Sequence, residues 1–261
     1  MAPPDSPTAD DSPPLVRATL DAQVLQFSDA EIQSRMRLLD PHALDLQYTQ
    51  LMMGFLMFVA APRRVAMIGL GGGSIAKFCH RHLRRTRLDV AEINPQVIAL
   101  RDRFHLPPDD DRLSVLLVDG ARFVSETAVR YDALLVDGFD RHGLPRQLCS
   151  QRFYDDCADA LQPTGVLAAN LHANHAEQPV WLERIGRSFG HEPLVVHDDD
   201  RSNCVVFASR AGLRPAPGAL RCPPGLASAG WPVLADAFRR ISTDPALKQT
   251  ALSNGKPLVR R

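Results

Sequence analysis

The stretch RVAMIGLGGGSIAKF, residues 64–78, decides how the rest of the chain is read. RVAMIGL (64–70) is a short apolar run of the kind that forms a buried strand. Gly69, Gly71, Gly72 and Gly73 follow, and SIAKFCHRHL then takes up helical spacing. Glycines between a strand and a helix permit a tight turn and let a ligand come close to the backbone. The dinucleotide fingerprint GxGxxG would need glycine at 74, where the chain has Ser74.

Downstream the same rhythm repeats. RLDVAEI (87–93), LSVLLVD (113–119), YDALLVD (131–137) and VLAANL (166–171) read as strands. NPQVIALRDRF, GARFVSET, SQRFYDDCADAL and the segment around PVWLERIGRSF read as the helices between and after them, with Pro163–Gly165 as a turn. PLVVHD and NCVVFAS close the series as a strand pair. Apolar strands alternating with helices predict an α/β fold whose mostly parallel sheet is covered on both faces, with an antiparallel terminal pair.

Upstream, VRATL, QVLQF and EIQSRM predict a small β-element over 15–40, with turns at Asp21 and Ser28–Asp29. Pro41–Phe58 predicts a helix with Asp40 as N-cap and Pro41 in its first turn. Residues 1–14 have the composition of a disordered tail. The resulting division is a tail (1–14), a β-element (15–40), a Rossmann-like domain (41–210) and a Pro-rich extension (211–261) with one amphipathic helix, WPVLADAFRRI.

The formal net charge of +0 gives no electrostatic case for nucleic acid or an anionic membrane. LMMGFLMFVAAP (51–62) is too short to cross a bilayer, and the N-terminus lacks the pattern of a signal peptide. A cytoplasmic protein is expected. Its five cysteines are scattered without CxxC spacing, so no zinc site or disulfide framework is indicated.

Three strand ends carry acids. Glu92, after the second strand of the rhythm, can accept two hydrogen bonds from a ribose diol. Asp119 can accept from the exocyclic amine of adenine, with Gly120 leaving room for the ring. Each acid alone could be a helix cap. Together with the glycine turn they favour S-adenosylmethionine-type over NAD-type binding. The fourth strand ends in LLVDGFDRHG (134–143), placing Asp137 and Asp140 near the reactive end of such a ligand. Paired carboxylates beside a sulfonium suit an amine substrate, which one of them could position and help deprotonate. Asp140 could instead cap its own loop.

With VAEINPQVI, VDGARFV, VDGFD and SQRFYDDCADALQPTGVLAAN, the chain resembles the spermidine synthase (polyamine aminopropyltransferase) family from about Ile32 to Ser209. It looks like a divergent member of bacterial type with a short N-terminal region. The resemblance implies a sheet of the SAM-methyltransferase type. It also implies transfer of an aminopropyl group from decarboxylated S-adenosylmethionine, a co-substrate, to putrescine, with no prosthetic group and no metal. Asp137 would be the catalytic acid–base group. Gln33, in AEIQSRM, would line the donor site with Gly69, Gly71, Gly72, Gly73, Glu92, Asp119, Gly120 and Pro145. Asp140, Tyr48 and Thr49 would hold the amine, and a homodimer or homotetramer would be the assembly. The family's glycine turn carries an Asp where this chain has Gly72, and its C-terminal pocket aromatics fall at HDDDRSN (197–203). A SAM-dependent methyltransferase and a non-catalytic adenosyl-ligand or polyamine-binding protein are the alternatives.

Overall fold

The structure is a computed structural model, and it describes residues 14–26, 33–245 and 247. Residues 1–13 of the predicted tail, the Ser28–Asp29 turn and Ala30–Ile32 lie outside the described residues. A small antiparallel sheet comes first: β1 (Leu15–Ala18), β2 (Ala22–Gln26) and β3 (Ser34–Arg37), in that order. The main sheet contains β4 (Arg64–Ile68), β5 (Arg87–Glu92), β6 (Leu113–Leu117), β7 (Tyr131–Val136), β8 (Leu161–His172), β9 (Leu194–His197) and β10 (Asn203–Ala208). Its order is β6-β5-β4-β7-β8-β10-β9. β6, β5, β4, β7 and β8 run parallel, while β10 is antiparallel to both β8 and β9.

Alternate residues of each strand face opposite sides of the sheet, so each strand feeds two cores. Val65 and Met67 pack with α1 (Gln47–Met52), α2 (Ser74–His82) and α7 (Trp231–Thr243). Ala66 and Ile68 pack with α4 (Gly120–Glu126), α5 (Gln151–Ala160) and α6 (Gln178–Phe189). The amphipathic segment of the extension is α7, which begins with Pro232 in its first turn and buries Leu234, Ala237, Phe238 and Ile241. It sits so close that a Cβ on Gly54 would come within 2.1 Å of Ile241 Cδ1.

Three local expectations need correction. The helix predicted over 41–58 starts only at Gln47, with Leu46 rather than Asp40 at its N-cap, and passes into a 3-10 helix at Met53–Met57. The cause is tertiary: Asp45 is ion-paired to Arg35 and Arg37 of β3, which holds the preceding turn away from helical geometry. The helix predicted over 94–104 is α3 (Pro95–Ala99) followed by a separate 3-10 turn, Asp102–Phe104. The Phe104 carbonyl there is taken by Lys77 Nζ at 2.7 Å, and His105 adopts a left-handed φ of 54°. Pro163–Gly165 does not precede β8 but lies inside it. The pairing jumps from Tyr131↔Leu161 to Ala133↔Val166, so the intervening residues of β8 are absorbed as an irregularity.

Candidate active site

β4 sits between β5 and β7, where chain connections leave in opposite directions, and a crevice opens there at the carboxyl ends of the strands. Gly69 makes this approach possible. Its φ is +87°, and a Cβ on it would lie 2.2 Å from the Asp137 carbonyl oxygen. The crevice holds a cavity of about 470 Å³. Of the residues picked out from the sequence, Gln33, Gly69, Gly71, Glu92, Asp119, Gly120, Asp137, Asp140 and Pro145 line it together. Gly72 and Gly73 do not, because they turn into the start of α2. Tyr48 and Thr49 line a much smaller adjoining void that shares Ser34 and Asp137 with the first.

Each acid is held by its local structure. Glu92 takes the Leu70 amide on Oε2 and the Asn94 amide on Oε1, both at 2.8 Å. Burial raises its pKa, and the amides oppose that shift. Asp119 is also the N-cap of α4, accepting the Arg122 amide on Oδ1 at 2.8 Å. Capping and ligand binding are therefore compatible here, since the cap uses one oxygen. Asp140 closes a tight turn with Gly143 and accepts the His142 amide on Oδ1 at 2.6 Å, while still facing the cavity.

Asp137 is the perturbed group. Burial pushes its carboxyl up to about 6, against the Asn170 amide and the Tyr48 hydroxyl, which favour the ionised form. Asn170 Nδ2 donates to Asp137 Oδ1 at 2.9 Å. Its own Oδ1 is buried with no hydrogen-bond partner among the described residues. The Tyr48 hydroxyl also lies 3.2 Å from the Gln33 carbonyl, so its single proton is shared between that oxygen and Asp137, and burial beside Asp137 raises its pKa well above the usual value. Thr49 turns inward, and its hydroxyl donates to the Leu46 carbonyl at 2.5 Å.

Several wall residues escaped sequence reasoning. Ser34, Asn94, Phe139, His142, Gln147 and Leu148 all line the cavity. Asn170 could have been found as the polar residue ending an apolar strand beside β7. Ser34 had no signal, since it reaches the glycine turn only through tertiary contact: Gly72 N donates to Ser34 Oγ at 2.9 Å. Asp198, Asp199 and Asp200 line neither this cavity nor the adjoining void. Asp198 and Asp200 accept from Ser202 Oγ at 3.1 and 2.9 Å, and Asp199 pairs with Arg240 and takes Gln47 Nε2 at 2.7 Å.

The cavity wall thus carries Glu92, Asp119, Asp137 and Asp140 but no Lys or Arg. Such a wall favours cations. Among the described residues no cluster of His, Cys, Asp or Glu is arranged to hold a metal, and no helix is long and apolar enough to cross a membrane.

The arrangement is that of a doubly covered α/β protein with an acidic crevice at its switch point. The fold is similar to a probable spermidine synthase from Corynebacterium glutamicum (TM-score 0.64, 19% identity, 76% of each chain). It is also similar to human methyltransferase-like protein 13 in complex with SAH (TM-score 0.55, 22% identity, 76% of this chain and 90% of that one). Residues 45–185 match the spermine/spermidine synthase domain. A polyamine aminopropyltransferase from Chromobacterium violaceum is 36% identical over 187 residues, 71% of this chain and 72% of that protein. The chain belongs to the spermine/spermidine synthase family.

Proposed function

We propose that the crevice catalyses aminopropyl transfer from decarboxylated S-adenosylmethionine to putrescine, giving spermidine, 5'-methylthioadenosine and a proton. The observation that carries this reading is Asp137, a carboxylate with a pKa of about 6 in a cavity walled by acids. Family membership and the named relative support the reaction class. The second carboxylate of the VDGFD pair, Asp140, favours it over methyl transfer.

Glu92 holds the ribose through the lone pairs its amide partners leave, and Asp119 Oδ2 takes the adenine amine. Gln33, Gly69, Gly71, Gly120 and Pro145 complete the donor wall, with Gly72 and Gly73 shaping the turn behind it. The sulfonium lies against Asp137, and the incoming amine bridges Asp137 and Asp140 with Tyr48 at its far side, while Thr49, turned onto the Leu46 carbonyl, supports Tyr48 from behind. The amine nitrogen attacks the propyl carbon attached to sulfur. The carbon–sulfur bond breaks, its electron pair stays on sulfur as the neutral thioether, and the surplus amine proton leaves by way of Asp137. Reference pKa values put an Asp about six units below an ammonium. Burial narrows that gap to about four units, so orientation and charge stabilisation remain the larger contribution of this carboxylate.

The described cysteines are all free thiols, as suits a cytoplasmic enzyme. A homodimer or homotetramer is the proposed assembly, measurable by light scattering. Incubating the purified protein with putrescine and either decarboxylated or intact S-adenosylmethionine, with products read by mass spectrometry, tests the function. Spermidine and methylthioadenosine from the decarboxylated donor are expected. S-adenosylhomocysteine from the intact donor, or binding without turnover, overturns the assignment.

A further inference from the structure

A second cavity, of about 550 Å³, lies along α2 and is lined by His42, Lys77, His80, Arg81, Arg84, His105, Pro107 and Arg112. It shares no lining residue with the acidic crevice. Arg112 immediately precedes β6, so this cavity reaches the amino-terminal end of a strand, whereas the crevice opens at the carboxyl ends. Lys77, Arg81, Arg84 and Arg112 supply four cationic side chains, three histidines join them, and no carboxylate lines the wall.

The local acids offset one histidine of this set, His80, to which the Arg112 guanidinium is also hydrogen-bonded, and leave the Lys and Arg charges without a carboxylate in the wall. Asp110 is engaged by His80 Nε2 at 2.8 Å and by the amides of Arg112 and Leu113. Asp40, near His42, is within 3.8 Å of Arg37. Among the described residues Arg81 and Arg84 have no carboxylate partner, and both are exposed at the cavity mouth. Lys77 is only 1% exposed, and its hydrogen-bond partner is a neutral carbonyl, that of Phe104. His42 Nδ1 is buried without a partner among the described residues. Burying a cation without a counter-ion is unfavourable, and burial lowers the Lys77 pKa to about 8. His42 and His82 are likewise pushed down, first by burial and then by the nearby Arg81. Crowded like charges around a concave, ligand-sized space constitute an arrangement completed by an anion.

We propose that this cavity is a binding site for a small anion carrying several phosphate groups, of the oligophosphate class. Arg81 and Arg84 grip it at the rim by paired N–H donors, and Lys77 and Arg112 meet it further in. The site is separate from the proposed transferase chemistry.

Isothermal titration of the full chain with inorganic triphosphate tests this. Saturable one-to-one binding is expected, weakening as salt is raised from 50 to 300 mM because the contacts are ionic (about a tenfold loss or more). The double substitution Arg81→Ser with Arg84→Ser, at two exposed positions, should weaken it at least tenfold while turnover without triphosphate stays unchanged. Lys77→Met, which leaves the rim intact, should also weaken it. Absence of saturable binding, or binding unaffected by the arginine substitutions, overturns the proposal. So does capture of single-stranded RNA with no binding of triphosphate.

Discussion

Replacing Asp137 with Asn should slow turnover by about 10²-fold or more and at the same time stabilise the protein, in a pH-dependent way. The carboxyl is pushed from 3.8 to about 6 in the folded chain, chiefly by burial. A group whose folded pKa is raised contributes its stability below the unfolded value and loses it as pH rises through the folded value. Here the loss accumulates from about pH 4 to beyond pH 6. The shift of about 2 units corresponds to about 3 kcal/mol, and partial solvent access at the crevice reduces this to about 1.5–3 kcal/mol. The introduced amide keeps an acceptor for Asn170 Nδ2, so the exchange removes the charge without orphaning that donor. For a chain of this length the gain is a rise in Tm of roughly 3–10 °C at pH 8. Melting curves of both proteins from pH 3.5 to 8.5 check it, with kcat/KM expected to drop by about 10²-fold or more. The difference in Tm should vanish below pH 4. An Asp137→Asn variant less stable than wild type at pH 8, or a difference indifferent to pH, would show that Asp137 is not held above its ordinary pKa.

The acid limb of log kcat/KM should break near pH 6, because the ionised Asp137 is the working form. Asn170→Ala removes a hydrogen bond that favours ionisation, so the break should move up by roughly half a unit or more, measured over pH 5–8. Gly72→Ala places a methyl 2.9 Å from Ser34 Cβ and 3.0 Å from the Phe104 ring, and should cost about 1–3 kcal/mol in urea unfolding. Adding Ser34→Gly should recover part of that loss. Ile241→Ala empties a fully buried site between α7 and the 3-10 helix at Met53–Met57 and should cost about 2–5 kcal/mol, read as a lower urea midpoint.

The central strands β4, β5, β7 and β8 were legible because they are largely buried on both faces and read as apolar runs, whereas β6 reads the same way although it lies at the sheet edge with Leu116 and Leu117 exposed. Glu92, Asp119 and Asp137 stand at the ends of such runs, while Gln33 and Pro145 are indicated only by the family resemblance. What escaped was set by contacts distant in sequence. Local capping signals at Asp40 and Pro41 pointed to a helix start that the pairing of Asp45 with Arg35 and Arg37 prevents. The acidic run at 198–200 offered turn chemistry as readily as an amine pocket, and Ser202, Gln47 and Arg240 engage its carboxylates. The basic cavity draws on His42, His105 and Arg112 as well as α2, so HRHLRR alone could not reveal it.

Gly72 is where sequence and structure together say more than either. By resemblance the position lacks an acid, which reads as a gap in the donor site. In the fold there is no gap: Ser34 from β3 and the Phe104 ring fill the space, and the Gly72 amide is bound to Ser34 Oγ. An acid could not return without displacing both neighbours, because its Cβ would lie 2.9 Å from Ser34 Cβ and 3.0 Å from the Phe104 ring. Three separate segments have therefore settled around a side chain that is absent, and charge recognition is left to the carboxylates of the other strand ends. In the proposed placement Glu92 and Asp119 are taken up with the nucleoside, which leaves Asp137 and Asp140 as the remaining carboxylates of the cavity wall for a cationic propyl arm. Asp140→Asn should consequently raise the KM for decarboxylated donor as well as for putrescine, measured by varying each at saturating levels of the other. A rise confined to putrescine would mean that the arm is recognised elsewhere.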